Sequence, residues 1–348
     1  MTEIHSSAET HDFSERVLRD MSSAVLVVDR KGNIVYVNQA ASSILELEPG
    51  QITVPFRDIV ENEYNDAFSD AVFSALYNRE ETNVRRVPFM AASGRKYMLH
   101  MTCSYLDTDD DDAYQLVITI TDETEVEKMR QKFRDASMTF STFLFGFCGW
   151  MIIYALWEFL GRPIAADFMT HGVEVLGIVM LLFVLRHTSF SWKDLGIGTS
   201  DPWKTVRTAA VVAFCSFVFL CILKVGISLI APGFFASGVP FFDISLFGIR
   251  QILYVFTAGI QEFLARSVMQ GNLKRIMATK HNGAMAILLS SLIFAALHIH
   301  FGLLFMLGAA ILAGLEGILY DRQNSIYGVW IVHWVFGVCG TLLSLIDH

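Results

Sequence analysis

The chain has 348 residues, a formal net charge of −9 and a mean hydropathy of +0.45. The acidic balance argues against nucleic acid as a partner, because phosphate contacts need clustered Lys and Arg. Five scattered cysteines without a CxxC pair predict no disulfide framework. Residues 1–20 are polar and lack the apolar core of a signal peptide, so no targeting segment is expected at this end.

The average composition hides two different parts. Up to Met138 there are 14 Lys and Arg against 25 Asp and Glu, a net charge of −11. From Thr139 onward there are 12 against 10, a net charge of +2, and the long apolar runs lie here. The sequence therefore predicts an acidic water-soluble domain followed by a hydrophobic membrane domain.

The soluble part reads as strands with one early helix. Residues 24–38 form an apolar strand, a turn with Asp29 and Gly32, and a second alternating strand, which predicts a β-hairpin. A helical stretch follows, with Ala40, Ala41, Ile44 and Leu45 on one face. Further strands are predicted at 82–90, 96–106 and 114–121, with Gly94 in the first turn between them. Asp109 to Asp112 are expected to form a solvated loop, since adjacent carboxylates alone do not make a metal cage.

This order of elements resembles a PAS domain. The run from Val27 to Asn38 and the closing Ile-Thr-Asp-Glu-Thr-Glu at 120–125 carry the resemblance. It implies an α+β domain at 13–121, an antiparallel sheet with flanking helices, after a disordered tail at 1–12. PAS domains bind flavin, haem or small metabolites, or serve as dimerisation modules. The Asn-Cys-Arg flavin motif is absent, and His100, the candidate haem ligand, could lie on either sheet face, so the ligand stays unknown.

Residues 122–138 are predicted to be a signalling helix and linker. Val126, Met129 and Phe133 recur at i, i+3 and i+7, which is the spacing of one helix face. This helix runs toward the first apolar segment. We expect it to dimerise the protein together with the PAS domain and to couple the sensor to the membrane domain.

Residues 139–348 predict an all-α polytopic membrane domain of about seven helices, with an eighth short segment as the alternative. Each apolar segment is near the ~20 residues that a bilayer crossing needs. The segments are 140–160, 168–187, 206–231, 245–270, 284–300, 302–320 and 325–346. Seven crossings put all four basic clusters on one side, which predicts a cytoplasmic PAS domain in the cell membrane and an outside C-terminus. The clusters are Lys128, Arg130, Lys132 and Arg134; Arg186, Lys193, Lys204 and Arg207; Lys274, Arg275 and Lys280; and Arg322.

Ionisable residues inside these segments are costly and therefore indicate a function or a partner. They are Glu262 and Arg266 beside Gln261 in the fourth segment, His298 in the fifth, Glu316 in the sixth and His333 in the seventh. Glu262 and Arg266 are four residues apart and can neutralise each other, and a single histidine could simply bind a backbone carbonyl. Two histidines with a Glu and a Gln on a third helix favour one shared cavity.

This set resembles the CAAX-protease and bacteriocin-processing (CPBP) family of intramembrane endopeptidases, which includes the type II prenyl-protein peptidases. The family motif Glu-Glu-x-x-x-Arg reads Gln261-Glu262-Phe263-Leu264-Ala265-Arg266, and Phe-x-x-x-His is met by Phe294 and His298. The third motif, His-x-x-x-Asn or Asp, reads His333 to Gly337. Lys193-Asp194-Leu195-Gly196 and Gly317-Ile318-Leu319-Tyr320 are supporting similarities. The resemblance implies hydrolysis of peptide bonds in or near the membrane, without a metal or other cofactor.

In the family a first-motif Glu activates water with the second-motif His, and the third-motif His and Asn stabilise the oxyanion. The resemblance then makes Glu262 the base, His298 the partner that orients water, His333 the oxyanion donor and Arg266 the residue that orients Glu262. Gln261 cannot accept a proton and Gly337 cannot donate a hydrogen bond, and losing one oxyanion donor costs ~10²–10³ in rate. Gln261 could be a spacer, or Glu316 could supply the missing carboxylate.

Two functions remain open from the sequence. The first is a PAS-regulated intramembrane endopeptidase that acts on a peptide or protein substrate. The second is a catalytically impaired pseudoprotease that binds membrane-protein partners as a sensor or scaffold, in which Glu262 and Arg266 are a structural pair and Gly337 is a close-packing site between helices.

Overall fold

The computed structural model describes residues 16–79, 81–107, 114–165, 167–235 and 238–346. The chain divides into two compact units, one up to Arg130 and one from Gln131 onward. This division falls inside the linker predicted at 122–138. The tail predicted at 1–12 and the loop Asp109–Asp112 lie outside the described residues.

The first unit is built on one antiparallel sheet, whose six described strands lie in the order β3-β2-β1-β6-β5-β4. The strands are β1 Ala24–Asp29, β2 Asn33–Val37, β3 Gly50–Pro55, β4 Thr82–Met90, β5 Lys96–Asp107 and β6 Tyr114–Asp122. Helices α1 Gln39–Leu45, α2 Phe56–Val60 and α3 Asp66–Asn78 accompany the sheet. The predicted hairpin, early helix and later strands are therefore confirmed, and β3, α2 and α3 are additional.

The hairpin is held by two side chains that bind backbone amides. Asp29 Oδ1 accepts the N–H groups of Lys31 and Asn33, and Gly32 takes the left-handed conformation that the turn requires. The side chain of Asn38 is buried at the start of α1, where its Oδ1 accepts from Val25 and Ala41 at 2.9 Å each. Asn38 thus fixes the first helix against the central strand.

Aromatic side chains fill the interior between the sheet and the helices. Phe56, Phe68 and Phe89 are fully buried, and Phe68 lies with its ring centroid 5.8 Å from Phe56 and 5.0 Å from Phe89. On β5 the neighbours of His100 face this core, whereas His100 itself binds Asn83 Oδ1 at 2.8 Å on the opposite face. The alternation of strand residues left the sheet face of His100 open, and the structure shows that His100 does not face the interior.

The second unit is helical, and each of the seven predicted apolar segments overlaps helix in the structure. The helices are α4 Thr124–Phe159, α5 Asp167–His187, α6 Pro202–Ile230, α7 Ile249–Glu262, a π-helix Phe263–Gln270, α8 Gly271–Ile276, α9 Asn282–Leu297, α10 Leu303–Gln323 and α11 Ile326–Leu342. Helix α4 begins before the boundary between the units. The predicted signalling helix and the first apolar segment are therefore one continuous helix of 36 residues.

Within the described part of the chain, α4 and α6 are long and apolar enough to cross a membrane, and α9 and α11 are shorter apolar helices. In both long helices only 17% of the most apolar stretch is buried. Phe145, Phe159, Leu229 and Ile230 are between 77% and 87% exposed. Continuous apolar surface of this kind is unfavourable in water, so it is consistent with a membrane protein.

Ionic contacts join segments of the second unit that are distant in sequence. Lys132 of α4 binds the Asp194 carboxylate at 2.8 Å, and Arg275 of α8 donates to the Asp194 carbonyl. Lys274 binds Asp321 of α10 at 2.5 Å. Partial burial would raise the pKa of Asp194, but hydrogen bonds from Lys132 and Ser191 lower it to about 2. The carboxylate therefore stays ionised at neutral pH, and the stability that it contributes is lost only as the pH falls through its ordinary pKa toward 2.

Candidate active site

The candidate site begins where α7 changes into the π-helix. Glu262 is the last residue of α7, and Arg266 and Gln270 follow at intervals of four in the π-helix. At its end the N–H of Gly271 donates to the carbonyl of Arg266, five residues earlier. All eight residues of the π-helix are buried. Such segments are rare and are frequent at functional sites.

Arg266 is the centre of the site. Its side chain is fully buried and donates from Nε to Glu262 Oε2 at 2.9 Å and from Nη2 to Glu316 Oε2 at 3.2 Å. Nη1 donates to Gln270 Oε1 at 3.1 Å and to the carbonyl of Ala313 at 3.0 Å. One guanidinium group thus holds two carboxylates and ties the π-helix to α10.

His333 of α11 completes the charged cluster. Its Nδ1 lies 2.7 Å from Glu262 Oε1 and 3.8 Å from Glu316 Oε2, and its Nε2 lies 3.0 Å from the hydroxyl of Tyr254 on α7. Both oxygens of the fully buried Glu262 are therefore occupied, one by Arg266 and one by His333. Glu316 Oε1 is buried without a hydrogen-bond partner among the described residues.

His298 lies beside this cluster but is not bonded to it. Helix α9 ends at Leu297, one residue before His298, and His298 Nδ1 is 2.8 Å from the carbonyl of Phe294. A carbonyl only accepts, so Nδ1 carries the proton and Nε2 keeps a lone pair. The Phe294 ring is close to both histidines, with its centroid 4.6 Å from that of His298 and 5.9 Å from that of His333. The second motif thus brings His298 next to the cluster through an aromatic ring.

The two positions that depart from the family motifs have different surroundings. Gln261 is buried, and its Oε1 has no hydrogen-bond partner among the described residues. A Cβ placed on Gly337 would lie 2.9 Å from the hydroxyl oxygen of Tyr254 and closer still to its ring. Glu262, and not residue 261, therefore faces His333, and Tyr254 occupies the space in front of Gly337.

Small residues explain how the π-helix packs so closely. A Cβ on Gly317 of α10 would lie 3.1 Å from both Arg266 Nη1 and Gln270 Oε1. Gly196, in the left-handed region, lies against Tyr320, whose hydroxyl oxygen would be 2.9 Å from a Cβ at that position. Ser267 Oγ donates to the carbonyl of Leu195 at 2.5 Å. The two supporting sequence similarities are thus brought together, next to the candidate site.

The cluster has the ligand types of a metal site but is already charge-paired. An oxygen of Glu262, an oxygen of Glu316 and a ring nitrogen of His333 all lie within 4.8 Å of one another. The guanidinium of Arg266 binds both carboxylates, so two ionised carboxylates leave a charge of −1. Arg266 therefore already compensates one of the two negative charges that a metal ion would otherwise neutralise.

Tyr254 and Gln270 belong to the site, although neither lies in a recognised sequence motif. Both are separated from Glu262 by eight residues, one before it and one after it. Residues at i+4 and i+8 share a helix face, so this spacing was the available signal. It is weak for a tyrosine in an apolar segment, because aromatic residues there are usually part of the packing.

Comparisons with known proteins give two matches, one in each unit. Residues 22–125 match the family model of the PAS domain, and residues 244–339 match that of the type II CAAX prenyl endopeptidase Rce1-like family. The two matches do not overlap, and each lies within one of the two compact units. The chain therefore contains a PAS domain and an Rce1-like CAAX protease domain, and every residue of the candidate site lies within the second match. No curated protein matches the chain.

Solved structures that are similar to the chain are PAS domains. The PAS domain of a two-component sensor histidine kinase has 13% identity and a TM-score of 0.26, and covers 33% of this chain and 98% of its own. The PAS domain of a Colwellia psychrerythraea protein has 14% identity and a TM-score of 0.29, and covers 33% of this chain and 98% of its own. The PAS domain of nitrogen regulation protein NR(II) from Vibrio parahaemolyticus has 19% identity and a TM-score of 0.27, and covers 31% of this chain and 94% of its own.

Arg266 is expected to stabilise the second unit. Replacing Arg266 with Ala leaves Glu262 and Glu316 buried without their cation, so we expect a loss of about 3–5 kcal/mol in stability. Thermal unfolding of the purified protein in detergent measures it by tryptophan fluorescence, because all six Trp residues follow position 149. Arg250→Ala on the exposed side of α7 is the matched control and should unfold like the wild type. Equal melting temperatures for R266A and R250A would contradict the central role of Arg266.

Proposed function

We propose that the protein is an intramembrane endopeptidase whose PAS domain regulates cleavage of a peptide or protein substrate. The observation that carries this proposal is the buried hydrogen-bonded pair of Glu262 and His333, fixed by Arg266 and connected to His298 through the Phe294 ring. A carboxylate, two imidazoles and an arginine provide acid–base groups and oxyanion stabilisation, the two requirements of amide hydrolysis. The proposed chemistry uses side chains of this chain alone and needs no metal ion.

In this proposal His298 activates the attacking water. Its Nδ1 donates to the carbonyl of Phe294, so Nε2 is free to accept a proton from water. Glu262 is less suited to that role because both of its oxygens accept hydrogen bonds and the residue is fully buried. Glu262 instead orients His333, and Arg266 holds Glu262 in place.

A non-catalytic scaffold is the second candidate, and two observations favour it. Gln261 carries an amide where the family motif has a carboxylate, and Glu262 has no exposed surface through which it could meet water. In that case the charged cluster stabilises the helix packing, and the apolar surface binds a membrane-protein partner. The two candidates make opposite predictions for peptide cleavage.

Cleavage of a peptide library by the purified full-length protein separates the two functions. Under the peptidase proposal the wild type cleaves, and His298→Ala lowers turnover by about 10²–10⁴-fold because a general base is lost. His171→Ala, at an exposed histidine of α5, is the matched control and should keep full turnover. Background turnover in wild type and H298A alike would reject the peptidase and leave the scaffold.

We further propose that the protein crosses the membrane seven times, with the PAS domain in the cytoplasm and the C-terminus outside. Three contacts support this topology, because Lys132, Arg275 and Lys274 join basic clusters from different parts of the chain. Basic residues near membrane segments prefer the cytoplasmic side, so a common basic end is the cytoplasmic end. The loop 232–243 carries no Lys or Arg, which suits the outside.

Fusions to alkaline phosphatase, which is active only outside the cytoplasm, test this topology. We expect high activity for a fusion after Pro240 and low activity for one after Thr279, since one crossing separates the two positions. A fusion after His348 should be active and one after Glu123 inactive. Activity after both Pro240 and Thr279 would contradict the proposed crossings.

The PAS domain is proposed to act on the membrane unit through α4 and to dimerise along it. The side chains of Val126, Met129 and Phe133 are exposed along α4, which leaves their apolar face free for a second copy. Farther along, Asp135 is buried and accepts from the N–H of Ser189 at 2.8 Å and its hydroxyl at 2.6 Å.

The loop that Asp135 holds continues to the candidate site. Lys132 of α4 binds Asp194 in this loop, and the next residue, Leu195, accepts from Ser267 of the π-helix. A change at the start of α4 can therefore reach the π-helix that carries Arg266 through a continuous series of contacts.

Deletion of residues 1–121 tests this coupling. If the protein is a peptidase, we expect the deletion to change its turnover, because the PAS domain no longer acts on α4. If it is a non-catalytic scaffold, we expect the deletion to change the melting temperature followed by tryptophan fluorescence. Asp135→Ala should change the same quantity, since it breaks the contact with Ser189. Glu125→Ala is the matched control on an exposed turn of α4 that contacts Lys128. No change in the deletion variant would count against regulation by the PAS domain.

A further inference from the structure

Tyr254 is the partly buried end of the charged cluster. Glu262 Oε1, His333 Nδ1, His333 Nε2 and the Tyr254 hydroxyl form a continuous chain, with 2.7 Å and 3.0 Å between successive polar atoms. Glu262 is fully buried and His333 is 5% exposed, whereas Tyr254 is only partly buried. A carboxylate that orients a histidine, which in turn binds a hydroxyl group, is the arrangement by which enzymes activate a side-chain hydroxyl.

Tyr254 is the last group of this chain of hydrogen bonds, and its hydroxyl oxygen lies next to His333 Nε2. Glu262, held by Arg266, accepts the Nδ1 proton, so a neutral ring accepts the Tyr254 proton at Nε2. The Tyr254 hydroxyl has one proton, which can point to Nε2 or turn away from His333 toward a substrate oxygen. In the second orientation Tyr254 is a hydrogen-bond donor to the substrate, while its oxygen stays 3.0 Å from His333 Nε2.

Gly337 provides the room that Tyr254 needs. Positions 333 and 337 are one turn apart on α11, and the ring of Tyr254 lies over the backbone of Gly337. A Cβ at 337 would approach the hydroxyl oxygen to 2.9 Å and the ring more closely, so the ring would have to move. The missing side chain and the tyrosine therefore belong to one arrangement.

We propose that the Tyr254 hydroxyl donates a hydrogen bond to the carbonyl oxygen of the substrate and stabilises the negative charge that develops there. This role rests on the proposed peptidase function and adds to it a donor that lies outside the three sequence motifs. It also gives Gly337 a function, which is to admit the ring that carries the donor.

Steady-state kinetics of the full-length protein test this role with a peptide that the wild type cleaves. Tyr254→Phe keeps the ring over Gly337 and removes only the hydroxyl, so kcat should fall by about 10²–10³-fold while KM stays within about threefold. Tyr327→Phe on α11 is the matched control, because its hydroxyl makes no hydrogen bond among the described residues. It should leave both constants unchanged.

Gly337→Ala provides an independent variant. Its methyl group displaces the ring, so kcat should fall as it does in Y254F, and the double variant should lose little more, because both changes remove the same donor. Melting temperatures within a few degrees of the wild type confirm that these variants fold.

The outcomes distinguish the donor role from the peptidase function. Wild-type turnover with an unchanged kcat in Tyr254→Phe overturns the donor role alone. Losses that multiply in the double variant also overturn it, because they indicate separate effects on packing. A wild type that cleaves no peptide, with H298A at the same background, overturns the peptidase function and the donor role together.

Discussion

The second unit depends on one buried cation. The guanidinium of Arg266 binds Glu262 and Glu316, which lie on different helices, and also reaches Gln270 and a backbone carbonyl of α10. In a low-dielectric interior two carboxylates cannot lie so close together without such compensation. The position of His333, which binds the same Glu262, follows from that compensation. The helix packing and the candidate chemistry therefore have a common origin, and neither can change without the other.

Local sequence signals were sufficient for most of the first unit. The turn at Asp29 and Gly32 and the alternation of the later strands predicted the hairpin and β4 to β6, because each signal acts within a few residues. Strand β3 and helix α3 were missed. The edge strand is short and contains both Gly50 and Pro55, and α3 carries polar residues within its apolar pattern. The face of the sheet on which His100 lies could not be predicted, because alternation fixes faces only relative to each other.

The residues of the candidate site that belong to sequence motifs could be predicted from the sequence. Arg266, His298 and His333 are ionisable residues in apolar segments, and the resemblance to the family motifs marks them as candidates. The pair of Glu262 and Arg266 forms as the interval of four residues indicated. The contact of His333 with Glu262 rather than with Gln261 depends on the relative rotation of two helices, which no local pattern encodes. The π-helix also escaped prediction, since a run of buried residues gives no periodicity that distinguishes it from an α-helix.

The close approach of Tyr254 to Gly337 restricts how the two positions can vary. With tyrosine at 254, any side chain at 337 meets the ring and must displace it, and the displacement grows with the size of the side chain. A smaller residue at 254 would open that space and make larger residues at 337 acceptable. The order of the changes therefore matters, since a bulky residue at 337 is tolerated only after the ring has gone. Sequences related to this chain should accordingly vary at 254 and 337 in concert.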